Sequence, residues 1–335
     1  MNKINRKRIA AILLGFGVLC AYAGENQKLA QTGFQFLDVV SDARASAMAE
    51  AMTSLQIGSS ALFFNPAGMA EMQTTVDATA SMNQWIADMK HNTFSLAIRP
   101  VDGRYGVIGF TAQTVDYGDF YGTQVSSNDD GYENTDIFSP TAMAFGIGYA
   151  KTLTDRFCAG FQVRYVEQDL GDSIIPVYSN NDTTSRTATN SLHPLAFDFG
   201  TQFKTGVKGL VFGMCVRNFS KEISYVDEGF ELPLVFNLGI SMDIMDVIQP
   251  ESELQSLIVS VDASHYRSHA EQVHLGMEYR FMNQFFLRAG YLSNDDENGL
   301  TYGVGVAVHG IAFDYAYTPY GIFDNVQRMT ARFAL

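Results

Sequence analysis

"VHLGMEYRF", residues 273–281, changes character at every second position. Val273, Leu275, Met277, Tyr279 and Phe281 fall on one side of an extended chain, and His274, Gly276, Glu278 and Arg280 on the other. Successive side chains of a strand point to opposite faces, so the stretch carries one apolar face and one charged or small one. The same period returns in "LAFDFGTQF" (195–203), where Leu195, Phe197, Phe199 and Phe203 oppose Asp198, Gly200 and Gln202. It returns again in "LVFNLGISMDI" (234–244) and "FLRAGYLS" (286–293).

Working outward, about fourteen such segments fill residues 74–335, the first near 74–86 and the last near 326–335. A soluble β-sandwich also alternates, so loop lengths decide. "PVDGR", "TLTD", "KTGVKG", "FMNQ" and "HG" are tight turns at every second connection, whereas 118–136, 170–190 and 217–231 are long polar excursions. Short turns at one end, long loops at the other and an even strand number describe an outer-membrane barrel. "MDVIQPESE" (245–253) is long for an inner turn. The terminal "QRMTARFAL" sets Met329, Ala331, Phe333 and Leu335 on one face, as a last barrel strand does. Aromatic content of 13% suits the girdles at the two membrane interfaces. The expected fold is therefore all-β, a transmembrane antiparallel barrel of about 14 strands.

The start of the chain is built differently. Lys3, Arg6, Lys7 and Arg8 precede the apolar run Ile9–Leu19, and Ala21-Tyr22-Ala23 offers small residues for cleavage. Residues 1–23 thus read as a cleaved signal peptide, which places the protein in the outer membrane of a Gram-negative-type bacterium, with membrane lipid as its first partner. Leu19 is bulky where lipid attachment at Cys20 would need a small neighbour. No later run of eighteen apolar residues suggests a spanning helix. The net charge of −14 grows more negative once the four leader cations leave, which argues against nucleic acid as a partner. Cys158 and Cys215 fall on non-adjacent predicted strands and read as free thiols.

Residues 24–73 lack alternation, and "DARASAMAEAMTSL" (42–55) suits one short helix capped by Asp42 or Ser41. A fourteen-stranded ring is too wide for its own side chains to fill. The inward positions Ala142, Ala144, Gly146, Gly148, Gly303, Gly305 and Ala307 leave room for packed backbone, so 24–73 is expected to plug the barrel 74–335. In "SALFFNPAGMAEM" (60–72), Phe63 and Phe64 would line or seal the plug, Asn65-Pro66 would make a rigid turn, and Gly68 a sharp reversal. By parity Asp77, Arg99, Arg164, Asp198, Asp243, Asp262, Glu278, Arg288, Asp314, Arg328 and Arg332 face inward. Their mixed signs predict pairing with one another and with Arg44 and Asp42.

"GFQFLDVVSDARASAMAEAM" followed by "SSALFFNPAGMAEM" resembles the N-terminal signature of the PorV/PorQ family, which is related to FadL-type transporters. The matching residues are Phe36, Leu37, Ala43, Arg44, Ala45, Met48, Asn65, Pro66, Ala67 and Gly68. The resemblance implies a plugged fourteen-stranded barrel in type IX protein secretion, accepting or anchoring exported proteins that share a C-terminal domain. Tyr117, Phe120, Tyr121, Tyr132 and Tyr178 on the long loops are candidate anchors for such a partner. The FadL side implies passage of long-chain fatty acids or other hydrophobic small molecules through the plug and out through the wall.

Enzymatic chemistry finds no support. His265, His269 and His274 cluster near an outer loop without the helical spacing of a zinc pair, and Ser264 has no nucleophile-elbow context. No cofactor is expected. The acidic loops "SNDDGYENTD" (127–136) and "SNDDENG" (293–299) offer oxygen ligands to Ca²⁺, although neither has EF-hand spacing.

Overall fold

The computed structural model describes residues 32–335 apart from 180–181, 226–227, 250–253, 295–298, 322 and 324. The expected signal peptide (1–23) and the first plug residues (24–31) lie outside the described residues.

The strands are β1 (Val76–Gln84), β2 (Lys90–Ile98), β3 (Val107–Asp116), β4 (Phe120–Val125), β5 (Tyr132–Phe138) and β6 (Thr141–Thr154). β7 (Phe157–Ser179), β8 (Asp182–Leu192), β9 (Leu195–Lys204), β10 (Val211–Phe219), β11 (Ile223–Ser224) and β12 (Gly229–Phe230) follow. The chain ends with β13 (Val235–Asp243), β14 (Gln255–Tyr266), β15 (Gln272–Phe281), β16 (Phe285–Leu292), β17 (Leu300–Val308), β18 (Ile311–Thr318) and β19 (Val326–Ala334). Fourteen of them form a closed antiparallel ring, β1-β2-β3-β6-β7-β9-β10-β13-β14-β15-β16-β17-β18-β19. β19 pairs back onto β1 from Asp77↔Ala334 to Gln84↔Gln327 and closes the circle. β8 pairs with the outer end of β7, and β4–β5 and β11–β12 are hairpins within the outer loops.

Parity explains the ring. Phe94, Phe110, Phe145, Phe161, Phe199 and Phe313 point away from the lumen and are 42 to 64% exposed. An apolar belt on that scale has no place in water; its solvent is the bilayer, where a closed barrel satisfies every backbone N–H and C=O. β1, β2 and β19 are nine residues each, close to the roughly 9–11 that a tilted strand needs to cross. Such a ring survives cold detergent, so unheated protein is expected to migrate faster than boiled protein on a denaturing gel. Equal mobility together with recovery in a soluble fraction would contradict the barrel.

Two of the inward assignments fall at the inner rim, where the side chains brace turns. Arg99 lies past the end of β2, and its guanidinium donates to the Gln73 and Asp102 carbonyls at the inner rim. Asp243 serves the long inner turn, where Oδ1 accepts from the Met245 and Leu257 amides beside the one-turn helix Met245–Ile248.

The plug enters at the outer mouth and descends. Thr32 bridges in parallel to Glu231 of an outer loop, and Gln73 stands at the inner rim one step before β1. Between them the predicted helix is short, Ala43–Ala47, with Asp42 Oδ1 accepting from Ala45 N at 2.9 Å. Ala49 and Glu50 are left-handed (φ 49° and 67°), and their turn stops the helix that the Ala- and Met-rich composition would have continued. Two 3-10 turns, Gly58–Phe63 and Pro66–Met69, complete the plug.

Candidate functional site

The plug is fastened in two ways. Along the strands where the ring closes, polar side chains grip it. Asp77 accepts from Ser59 N (2.9 Å) and Ser59 Oγ (2.7 Å) while taking the Arg332 guanidinium, Thr330 Oγ1 accepts from Ala43 N (2.8 Å), and Arg328 Nε donates to the Val40 carbonyl (2.8 Å). Further round, Arg44 makes a two-pronged pair with Glu278 at 2.8 Å, Arg288 Nε reaches the same carboxylate at 2.5 Å, and Arg288 also holds Asp314 at 2.6 Å. A planar guanidinium matches a carboxylate in this way.

Elsewhere the wall receives the plug through absent side chains. Gly109, Gly148, Gly160, Gly200, Gly213, Gly239, Gly276, Gly290 and Gly303, on nine different strands, each face plug atoms where a Cβ would intrude. At Gly160 a Cβ would stand 2.6 Å from Ala67 N and Pro66 C; at Gly276 it would stand 2.7 Å from the Met48 carbonyl oxygen. Only glycine permits backbone to approach so closely.

This seat places the motif residues. Met48 is fully buried, its carbonyl on Gly276. Asn65 caps the Pro66–Met69 turn, its Oδ1 accepting from Ala67 N, and Nδ2 donates to the Thr53 (2.7 Å) and Thr201 (3.1 Å) carbonyls. Gly68 makes no left-handed reversal; it is needed because the Leu55 carbonyl passes where its Cβ would stand. The Phe63 carbonyl accepts from Arg217. Arg217 and Asn218 are luminal residues that the reading as an outer loop missed. Arg217 keeps the inward parity of Gly213 and Cys215, and a bulge between Val216 and Phe219, with Asn218 at φ 61°, brings Asn218 in beside it, so that the two meet Phe63, Asp38, Asp198 and Arg164. Inward glycine parity was the available signal for the seat; none in the sequence marked the bulge.

Three cavities follow the plug downward. The outer one, about 510 Å³, is walled by Phe34, Phe36, Trp85, Tyr117, Tyr225 and Phe230 among others, with Val39 at its floor. Burial holds the Tyr117 and Tyr225 phenols above their ordinary range, so both stay neutral. The neck is about 20 Å³, between Val39, Val40, Asp42, Phe63, Phe64, Arg164 and Arg217, room for roughly one water. Below it a charged cavity of about 380 Å³ reaches from Asp42 and Arg44 past Glu278 and Arg288 to Arg332. Val39 lines the first two and Asp42 the last two, so the cavities form one axial series with a shut waist. Every strand of the ring pairs with both neighbours, and the β9–β10 ladder is interrupted at the bulge between Val216 and Phe219.

The loop aromatics do not converge. Tyr117 lines the outer cavity, whereas Phe120, Tyr121 and Tyr132 stand on the β4–β5 hairpin, with Tyr121 79% exposed. The Tyr178 side chain lies outside the described ones. In the lumen His274 Nδ1 donates to the Ala49 carbonyl at 2.7 Å, while His265 meets Glu271 and His269 meets Ser268 at the outer end. Among the described residues no three His, Cys, Asp or Glu side chains converge on a metal position; loop 293–299 lies partly outside them.

No protein-family model and no curated protein matches the chain. Solved structures do. CymD, a monoaromatic hydrocarbon channel, superimposes with a TM-score of 0.57 at 12% identity, over 92% of this chain and 99% of that one. The fold is FadL-like. The Pseudomonas putida toluene transporter TodX gives 0.54 at 13% identity, over 87% and 96%. A Pseudomonas aeruginosa FadL homologue gives 0.52 at 11%, over 88% and 98%. At these identities the likeness is one of fold, and the PorV/PorQ likeness rests on the N-terminal motif.

Proposed function

We propose that the protein is an outer-membrane channel for small hydrophobic molecules. The observation that carries this reading is the aromatic-walled outer cavity standing directly above a shut neck in a plugged barrel. Ligand sites are typically concave, apolar and about 300–1,000 Å³, and the outer cavity falls within that range. The hydrocarbon channels that share the fold support the same reading. Passage needs the neck to widen, with Val39, Phe63 and Phe64 as the side chains in the way. Expression in an outer-membrane host without hydrocarbon channels is expected to speed toluene uptake. Val39→Trp, which fills the neck from the cavity floor, is expected to abolish that gain while the heat-modifiable band persists. Uptake equal to that of the empty host would refute the channel.

A second reading is favoured by the exposed aromatic face of the β4–β5 hairpin, where Tyr121, Val125 and Tyr132 stand free of the barrel. On that reading the barrel accepts secreted proteins or other secretion components, as the motif resemblance implies. Affinity capture from native membranes tests it, and co-purification of exported proteins with one shared C-terminal domain is the result that would establish it.

A further inference from the structure

The outer cavity is apolar, yet two polar groups in its wall are left without partners. His91 is 2% exposed and its Nδ1 is buried and unbonded; the Tyr225 hydroxyl is likewise buried and unbonded among the described residues. Both residues line the same cavity. His91 stands edge-on to Trp85, the ring centroids 6.3 Å apart. Burying such groups unpaired is costly, and a neutral imidazole offers a donor at one nitrogen and an acceptor at the other. No Lys or Arg lines the cavity among the described residues, and the one carboxylate there, Glu228, repels anions.

Resting on the channel reading above, we infer that the outer cavity selects an uncharged aromatic molecule bearing a hydroxyl or carbonyl group, with His91 and Tyr225 as the specificity-determining residues. The ring packs among Phe34, Trp85 and Phe230, and the polar group supplies the hydrogen bonds that the wall lacks. A plain hydrocarbon leaves the two wall groups unpaired. A carboxylate meets Glu228 in the wall, while the guanidinium of Arg328, 5.3 Å from the centre of the Trp85 ring, is turned to the Val40 carbonyl and Thr318. Sites with buried polar groups discriminate in this way, because the analogue without the matching group leaves them unsatisfied.

The single tryptophan, Trp85, lies in the cavity wall and reports occupancy by its fluorescence. Purified full-length barrel in detergent is titrated with benzyl alcohol, toluene and benzoate, exciting at the red edge of the indole absorption. Benzyl alcohol is expected to bind about 5- to 10-fold more tightly than toluene, and benzoate most weakly. Tyr225→Phe, which keeps the ring, and His91→Phe are each expected to erase most of that preference without weakening toluene, in protein that retains its heat-modifiable band. Equal binding of toluene and benzyl alcohol, or a preference untouched by both variants, overturns the inference and leaves the channel reading standing. If none of the three perturbs Trp85 in folded protein, both fall.

Discussion

Glu278→Ala is expected to be the most damaging single replacement in the lumen, and clearly worse than Arg44→Ala. Glu278 is 2% exposed and neutralises two guanidiniums at once, those of Arg44 and Arg288. Its removal leaves one buried cation with no carboxylate and a second sharing Asp314 alone. Breaking a buried pair by removing one partner costs about 3–5 kcal/mol, and here two pairs break together. Arg44→Ala is milder, because Glu278 keeps Arg288, and the Arg44 side chain is already 19% open to solvent. The midpoint temperature at which the fast-migrating band disappears measures the difference. Equal midpoints for the two variants would show that the network carries little of the plug's stability. Arg44→Ala is also expected to raise permeability to a bulky hydrophilic antibiotic, because the plug loses its ion pair with β15.

Gly160→Val and Gly276→Val are expected to unseat the plug while the ring still forms. Overfilling a well-packed site usually costs about 1–3 kcal/mol when side chains can shift. At these two positions the obstructing atoms are backbone, Ala67 N and Pro66 C in one case and the Met48 carbonyl in the other, so the plug segment itself must retreat. Cells carrying either variant should become sensitive to an antibiotic too large for the wild-type lumen, with the unboiled band still running fast. Unchanged sensitivity in a stably inserted Gly160→Val barrel would mean that the seat is looser than its distances imply. As a control, Gly118→Asn, at a left-handed position (φ 81°) that asparagine tolerates and with nothing within 4 Å of its Cβ, should leave permeability unaltered.

The ring was legible because period-two alternation is imposed by the bilayer on one side and the lumen on the other, at every strand. Loop asymmetry supplied the strand order, and the long inner turn begins with a one-turn helix, Met245–Ile248, beside an Asp243 that binds the amides on both sides of the turn. The plug was less legible. A segment wrapped inside a wall takes its shape from that wall, so the helical composition of 42–55 yields after Ala47, where Ala49 N meets Thr301 Oγ1. Gly68 looked like a turn residue and turned out to be a place of close approach. Asn218 escaped because a bulge breaks parity, and Arg217 because the end of its strand was read as loop although it keeps the parity of Gly213 and Cys215. The outer cavity is assembled from the plug, a strand end and two loops, a grouping that no local pattern encodes.

The strands at which the ring closes are among those that hold the plug by hydrogen bonds. Asp77 of β1 is shared between Arg332 of β19 and Ser59, and Thr330 of β19 bonds both Ser81 of β1 and Ala43. Some of the side chains that join the first strand to the last therefore also lodge the plug, so the seam and the plug strengthen each other. A ring that shut early would trap Asp77 with half its partners missing, and the plug could not thread in afterwards past a belt of glycines shaped to its own backbone. Plug and wall thus share one set of contacts, and a ring with one strand pair more or fewer would lose the match to the plug as well as its own seam.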